Sequence, residues 1–329
     1  EMAEPPADGT AQPPESPPSE TTDGTATDSP EMTIGESGDF SFDPAMGFDW
    51  DEFDDTSADD SDTTVSTKGL KAGQNLTING GSFVIDSADD AVHSNYSISI
   101  HDGSFTIRTG DDGMHGDAYL TISGGTINAQ GVGGGAGIGG GKNSSGATKI
   151  DISGNALVYA HGNDGAAIGS GESSAGETTI TIHDTTAEKG VKSAFAYNGA
   201  GIGSGHYASG KTHITIRNAS VSSLESSTAS TNNPGAGIGS GKRAKGNTDI
   251  TIEGSTVKAV GGYGAAIGSG SEGDFYSPPT GTPNALKTII HITDSNVTAS
   301  SDSSAAIGSG SYSTNATDIE ITGGTINAS

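Results

Sequence analysis

From Lys68 onward, short runs of alternating apolar and polar residues recur along the chain. The marker reads aliphatic, polar, Ile: Leu76-Thr-Ile78, Ile98-Ser-Ile100, Leu120-Thr-Ile122, Ile150-Asp-Ile152, and on to Ile319-Glu-Ile321. Successive second Ile positions lie 22, 22, 30, 30, 34, 36, 40 and 29 residues apart. Alternation of period two marks a strand whose two aliphatic side chains point to the same side. A turn follows each marker, as at Asn79-Gly-Gly81 and Ser123-Gly-Gly125, and then a second short strand such as Ser82-Phe-Val-Ile85. Gly supplies the positive φ that such corners need. A third motif closes each later unit, for example Gly199-Ala-Gly-Ile-Gly-Ser-Gly205 and Ala265-Ala-Ile-Gly-Ser-Gly270. Nine such units of three short strands, with no helical period, predict an all-β chain. The expected fold is a right-handed, single-stranded parallel β-helix in which each unit is one coil.

Two early coils differ from the rest. Asp86-Ser-Ala-Asp-Asp-Ala-Val-His-Ser-Asn95 returns 22 residues later as Arg108-Thr-Gly-Asp-Asp-Gly-Met-His-Gly-Asp117. Stacking sets Asp89 over Asp111, Asp90 over Asp112, His93 over His115 and Asn95 over Asp117. Met114 then takes the place of Ile138, and His115 that of Gly139, so the acidic and Gly-Ser coils are variants of one unit. Coils lie about 4.8 Å apart, and four carboxylates crowded at that spacing repel unless a proton or cation sits between them. Hard oxygens at close range suit Ca²⁺. The expected ligands are Asp89, Asp90, Asp111, Asp112 and Asp117, with Asn95 and Asp86 beside them. The alternative is that these aspartates only form turns. His93 and His115 are poor calcium ligands and are expected to stack, or to bond to a carboxylate or a sugar hydroxyl.

Composition adjusts this picture. Apolar residues make up 31% of the 329, and 53 residues are Gly. That supply suits a thin column of small aliphatics better than a broad core. The net charge is −27, but 19 of the 41 acids precede Thr63 and no Lys or Arg precedes Lys68. Residues 1–65, rich in Pro, Ser, Thr and acids, read as a disordered spacer before a β-helix over 66–329. Acidic coils fill 66–130 of that helix and Gly-Ile-Gly-Ser-Gly coils fill 131–329. Within the spacer, Asp39-Phe-Ser-Phe-Asp43 and Phe48-Asp-Trp-Asp-Glu-Phe-Asp-Asp55 read as a patch covering the first coil, a partner-binding motif or a metal-capturing run. The charge disfavours nucleic acid. No apolar run is long enough to span a membrane, so attachment to a cell would need a lipid or wall anchor upstream. The absence of cysteine fits a secreted bacterial protein. The last strand leaves an open edge, which invites end-to-end self-association.

Lys68-Gly-Leu-Lys-Ala72, Asp86-Ser-Ala-Asp-Asp-Ala-Val-His-Ser-Asn95, Gly110-Asp-Asp-Gly-Met-His-Gly-Asp117 and Ile122-Ser-Gly-Gly-Thr-Ile127 resemble the carbohydrate-binding β-helix family of bacterial surface proteins. The likeness covers about residues 68–129; the later coils resemble repeats of large bacterial surface proteins. It implies a pectate-lyase-like fold, calcium dependence, a place outside the cell at its surface, and binding of polygalacturonate or cellulose without cleavage. An acidic glycan on an acidic protein needs a divalent ion to offset repulsion. Arg108, the only Arg near the acidic coils, would be the base of a lyase, or form a salt bridge with Asp86 one coil away. Lys142, Lys211, Lys242, Arg243 and Lys245 occupy coil corners, where they form a basic track for an anionic glycan or merely solvate the loops. A structural stalk or adhesin is the remaining alternative.

Overall fold

The computed structural model describes residues 67–223, 234–272 and 286–329. The chain divides into units Glu1–Thr56 and Ser57–Ser329, and all described residues belong to the second. The expectations for residues 1–65 lie outside the described residues.

The described chain is a parallel β-helix. A nine-stranded sheet forms the first face, from Leu70–Ala72 through Val92–Ser94 and Met114–Gly116 to Ile307–Gly308. A 16-stranded sheet wraps around the other two faces. Every strand pairs in parallel with its counterpart one coil away. One departure from the expected three short strands occurs early. Asn75–Ser87 and Ser97–Thr109 each run unbroken for 13 residues over the second and third faces. The corner there is absorbed as a register shift between Ile78 and Ser82, with Gly80 and Gly81 at φ 151° and 111°. From the third coil on the corner breaks, giving Tyr119–Ile122 and then Thr126–Gln130.

The register stacks like on like. The second face carries the aliphatic markers, with Ile98 on Leu120 on Ile150 and Ile100 on Ile122 on Ile152. The third face lines up Phe83, Phe105, Ile127 and Val158, and the first lines up Val92, Met114, Ile138 and Ile168. Ile98 through Ile292 on the marker columns are almost wholly buried, whereas Ile319 and Ile321 of the ninth coil are 46% and 45% exposed. Each buried Ile contributes about 1.5–3 kcal/mol, which a thin core collects one coil at a time.

Polar ladders hold the corners. In the later coils Ser170, Ser204, Ser240 and Ser269 each accept an N–H one coil on with Oγ, at 3.0–3.1 Å. The glycines of the first face stack so closely that a Cβ on Gly203, at φ 144°, would lie 1.7 Å from Gly239 O. In the acidic coils that same register position is held by His93 and His115.

Candidate functional site

The acidic coils bring Asp89, Asp90, Asp111, Asp112, His93 and His115 together at the corner leading into the first face. The chain leaves the third face at Ser87, turns through Ala88-Asp89-Asp90, and enters the strand Val92–Ser94. The next coil repeats the path 22 residues later, and the register sets His93 beside His115. The two rings meet edge-on, with centroids 5.0 Å apart.

Asp90 is the hub. It is buried, and its Oδ1 accepts the Asp112 N–H at 3.2 Å. Its Oδ2 faces His93 Nδ1 at 2.7 Å and His115 Nδ1 at 3.6 Å, and it pairs with Lys68. Asp112 repeats the role one coil on, accepting the Ala136 N–H and facing His115 Nδ1 at 3.1 Å. Each ring also has an outer neighbour: Asn95 Oδ1 lies 3.0 Å from His93 Nε2, and Asp117 Oδ1 lies 3.4 Å from His115 Nε2. Of the behaviours expected of the histidines, contact with carboxylates occurs, whereas the two rings meet edge-on rather than stacked.

The charges are unevenly matched. Burial works against an ionised Asp90, but His115, His93 and Lys68 outweigh it and hold the carboxyl far below the usual range. Burial also works against a charged His115, yet Asp112 and Asp90 raise it to about 10, so it is an imidazolium at neutral pH. Among the described residues Asp111 forms no such ion pair, and the charge of His115 offsets only part of what its neighbours do. Burial, then the charges of Asp112, Asp90 and Asp89, push it up to about 7. Burial likewise raises Asp112, although His115 opposes this. The corner therefore holds more carboxylates, Asp89, Asp90, Asp111 and Asp112, than Lys68 and the His115 imidazolium can match.

At this corner, two sets of side chains place one ligand atom each within 4.8 Å of one another: Asp89, Asp90 and Asp111, and Asp90, His93 and His115. Neither includes Asp86, Asp112 or Asp117. Asp86 stands exposed on the third face, in register with Arg108 and then Gln130, so the Asp86–Arg108 column belongs to that face. Lys142 and Lys242 share one position of the turn after the first face, but not adjacent coils. Successive backbone bonds from Asn143 to Glu172, Ser173 to His206 and Tyr207 to Lys242 place Glu172 and His206 between them. Lys142 is drawn to Glu172 at 3.1 Å. The corner cations do not form a continuous basic track.

Two features were not anticipated. Lys68, read only as the start of the repeats, bonds to Asp89 Oδ1 at 3.0 Å as well as to Asp90. Tyr96, next after Asn95, and Tyr119, two residues after Asp117, meet edge-on at 5.6 Å and are 50% and 40% exposed. Lys149 Nζ extends the column, 5.5 Å from the Tyr119 ring centroid.

Residues 21–113 match the family model described as carbohydrate-binding domain-containing protein, and residues 120–142, 250–271 and 290–311 match the beta helix repeat. Each match covers part of the chain, and together they are consistent with a carbohydrate-binding β-helix family. The first match runs through both Asp-Asp pairs of the cluster, and the repeat matches fall on the coils that follow. No curated protein and no solved structure matches the chain. Among the described residues, no helix is long and apolar enough to cross a membrane.

Proposed function

We propose that the first three coils bind an acidic polysaccharide, such as polygalacturonate, through a bound Ca²⁺ and without cleaving it. The observation that carries this reading is the close set of Asp89, Asp90 and Asp111 oxygens, on the same coils as the exposed Tyr96–Tyr119 pair. Ca²⁺ holds oxygens at about 2.3–2.6 Å, so ligands up to roughly 5 Å apart share one ion. The donors are hard carboxylates, and Asp111 is the one without a cation of its own. A bound Ca²⁺ supplies the positive charge that a uronate needs next to this surface. Tyr rings offer an apolar face for a sugar and a hydroxyl at its rim.

The arrangement favours binding over lyase chemistry, because Arg108 stands exposed in the third-face column with Asp86. Coils four to nine, with their Ser and Gly ladders, serve as a stiff spacer. We place the protein outside the cell at its surface, with the acidic N-terminal segment as a tether.

Pull-down on insoluble polygalacturonate, with and without a calcium chelator, tests the reading. Retention should be lost with the chelator and restored by Ca²⁺, and no unsaturated product should absorb in the ultraviolet. Retention indifferent to chelation removes the calcium bridge; product absorbance makes the protein a lyase.

A further inference from the structure

A second group of ligating side chains meets where coils five and six stack, away from the acidic coils. Asp164 lies in the loop leaving the third face, and Glu172 and His206 each follow the Gly-Ser-Gly turn of their coil. Backbone bonds fix the three positions. The His206 N–H donates to Asp164 O, the Glu172 N–H to Gly134 O and the Ser173 N–H to His206 O, each at 2.8 Å. The side chains offer one ligand atom each, all within 4.8 Å of one another.

The His206 ring is the independent sign of a ligand. Its side chain is 13% exposed, and both ring nitrogens are shut off from solvent with no hydrogen-bond partner among the described residues. A buried polar group left in that state costs about 1–3 kcal/mol. Nδ1 lies 3.6 Å from Asp164 Oδ1 and 3.9 Å from Glu172 Oε1. Those gaps are too long for hydrogen bonds. They are close to the roughly 3.4 Å between two ligands of a tetrahedral ion held at about 2.1 Å from each. The neighbours hold the group in place. Tyr207 stacks on the ring at 3.9 Å, Asn198 Nδ2 donates to Asp164 Oδ1 at 2.6 Å, and Lys142 Nζ takes Glu172 Oε2 at 3.1 Å, leaving Oε1 toward the ring.

We propose that Asp164, Glu172 and His206 bind a divalent cation of the zinc type. One imidazole with two carboxylates suits such an ion, whereas Ca²⁺ takes oxygen donors. The ion ties the coil-five loop at Asp164 to the coil-six turn at His206, and a fourth position remains for water. This site stands on other residues than the glycan reading and does not depend on it.

Zinc titration calorimetry in calcium-free buffer tests the assignment on the full chain and on Glu172→Gln, His206→Gln and Asp111→Asn. Glu172→Gln and His206→Gln should each lose one equivalent of zinc or bind it at least tenfold more weakly, with their β circular dichroism intact. Asp111→Asn should keep that equivalent. Where a variant fails to fold, the wild type decides: zinc must shift the His206 ring resonances. Absence of zinc binding by the wild type, unchanged stoichiometry and affinity in folded variants, or a silent His206 overturns the proposal.

Discussion

Lys68 Nζ lies 3.0 Å from Asp89 Oδ1 and also bonds to Asp90, so an ammonium from the first coil touches two of the three carboxylates, Asp89, Asp90 and Asp111, proposed to hold calcium. Burial works against a charged Lys68, but the two aspartates more than offset it and raise its pKa. Calcium and Lys68 compete for the same oxygens. Lys68→Met should therefore tighten Ca²⁺ binding by about tenfold, near 1.4 kcal/mol. The same variant should melt lower than wild type in chelator and recover when calcium is added, because the freed carboxylates repel until an ion arrives. Calorimetry and a thermal shift read both effects. Unchanged calcium affinity would put the ion elsewhere than Asp89 and Asp90.

His115 makes the corner sensitive to alkali. Its pKa is raised from 6.5 to about 10 in the folded chain. The folded state thus holds its proton more tightly than the unfolded one. The stabilisation is fully present below about pH 6.5 and fades as pH climbs through about 10, because both states are then deprotonated. Its size is a few kcal/mol at most. The melting temperatures of wild type and His115→Gln, compared in chelator, should differ most near pH 6 and converge above pH 10. A gap that does not change with pH would mean that the ring acts only by packing.

Much of the fold was legible because the marker side chains alternate with period two and stack without slipping. Ile98, Leu120 and Ile150 sit on one another as the repeat predicts, and Met114 and His115 take the places of Ile138 and Gly139. The two continuous strands were hidden because a glycine corner reads as a turn whether the backbone breaks there or shifts register. At the site, the 22-residue echo aligned the aspartates and histidines, but it aligned Tyr96 with Ala118. Tyr96 and Tyr119 are 23 apart, one step out of phase: Tyr119 pairs in register with Ser97, and its ring meets that of Tyr96, the residue before, edge-on. Lys142 and Lys242 misled for the opposite reason: likeness of type suggested neighbours, whereas Glu172 and His206 occupy the coils between.

The tyrosine pair separates sugar contact from ion binding. Tyr96→Ala or Tyr119→Ala removes an exposed ring without touching the carboxylates. Ring contacts of this kind are worth about 0.5–1.5 kcal/mol, so polygalacturonate affinity should fall about two- to tenfold per ring. Calcium affinity measured without glycan should be unchanged. If glycan affinity is also unchanged, sugars dock on another face.

Gly203→Ala asks whether the later coils take part in binding at all. Gly203 has φ 144°, and a Cβ there would meet Gly239 O at 1.7 Å. Neither the backbone angle nor the contact can relax without parting coils six and seven. Repeat stacks couple mainly to nearest neighbours, so the damage should stay local. Limited proteolysis should open cleavage sites around coils six and seven, while calcium and polygalacturonate binding by coils one to three persists within about twofold. Loss of glycan binding together with the new cleavages would instead extend the binding surface along the later coils, and their role would no longer be that of a spacer.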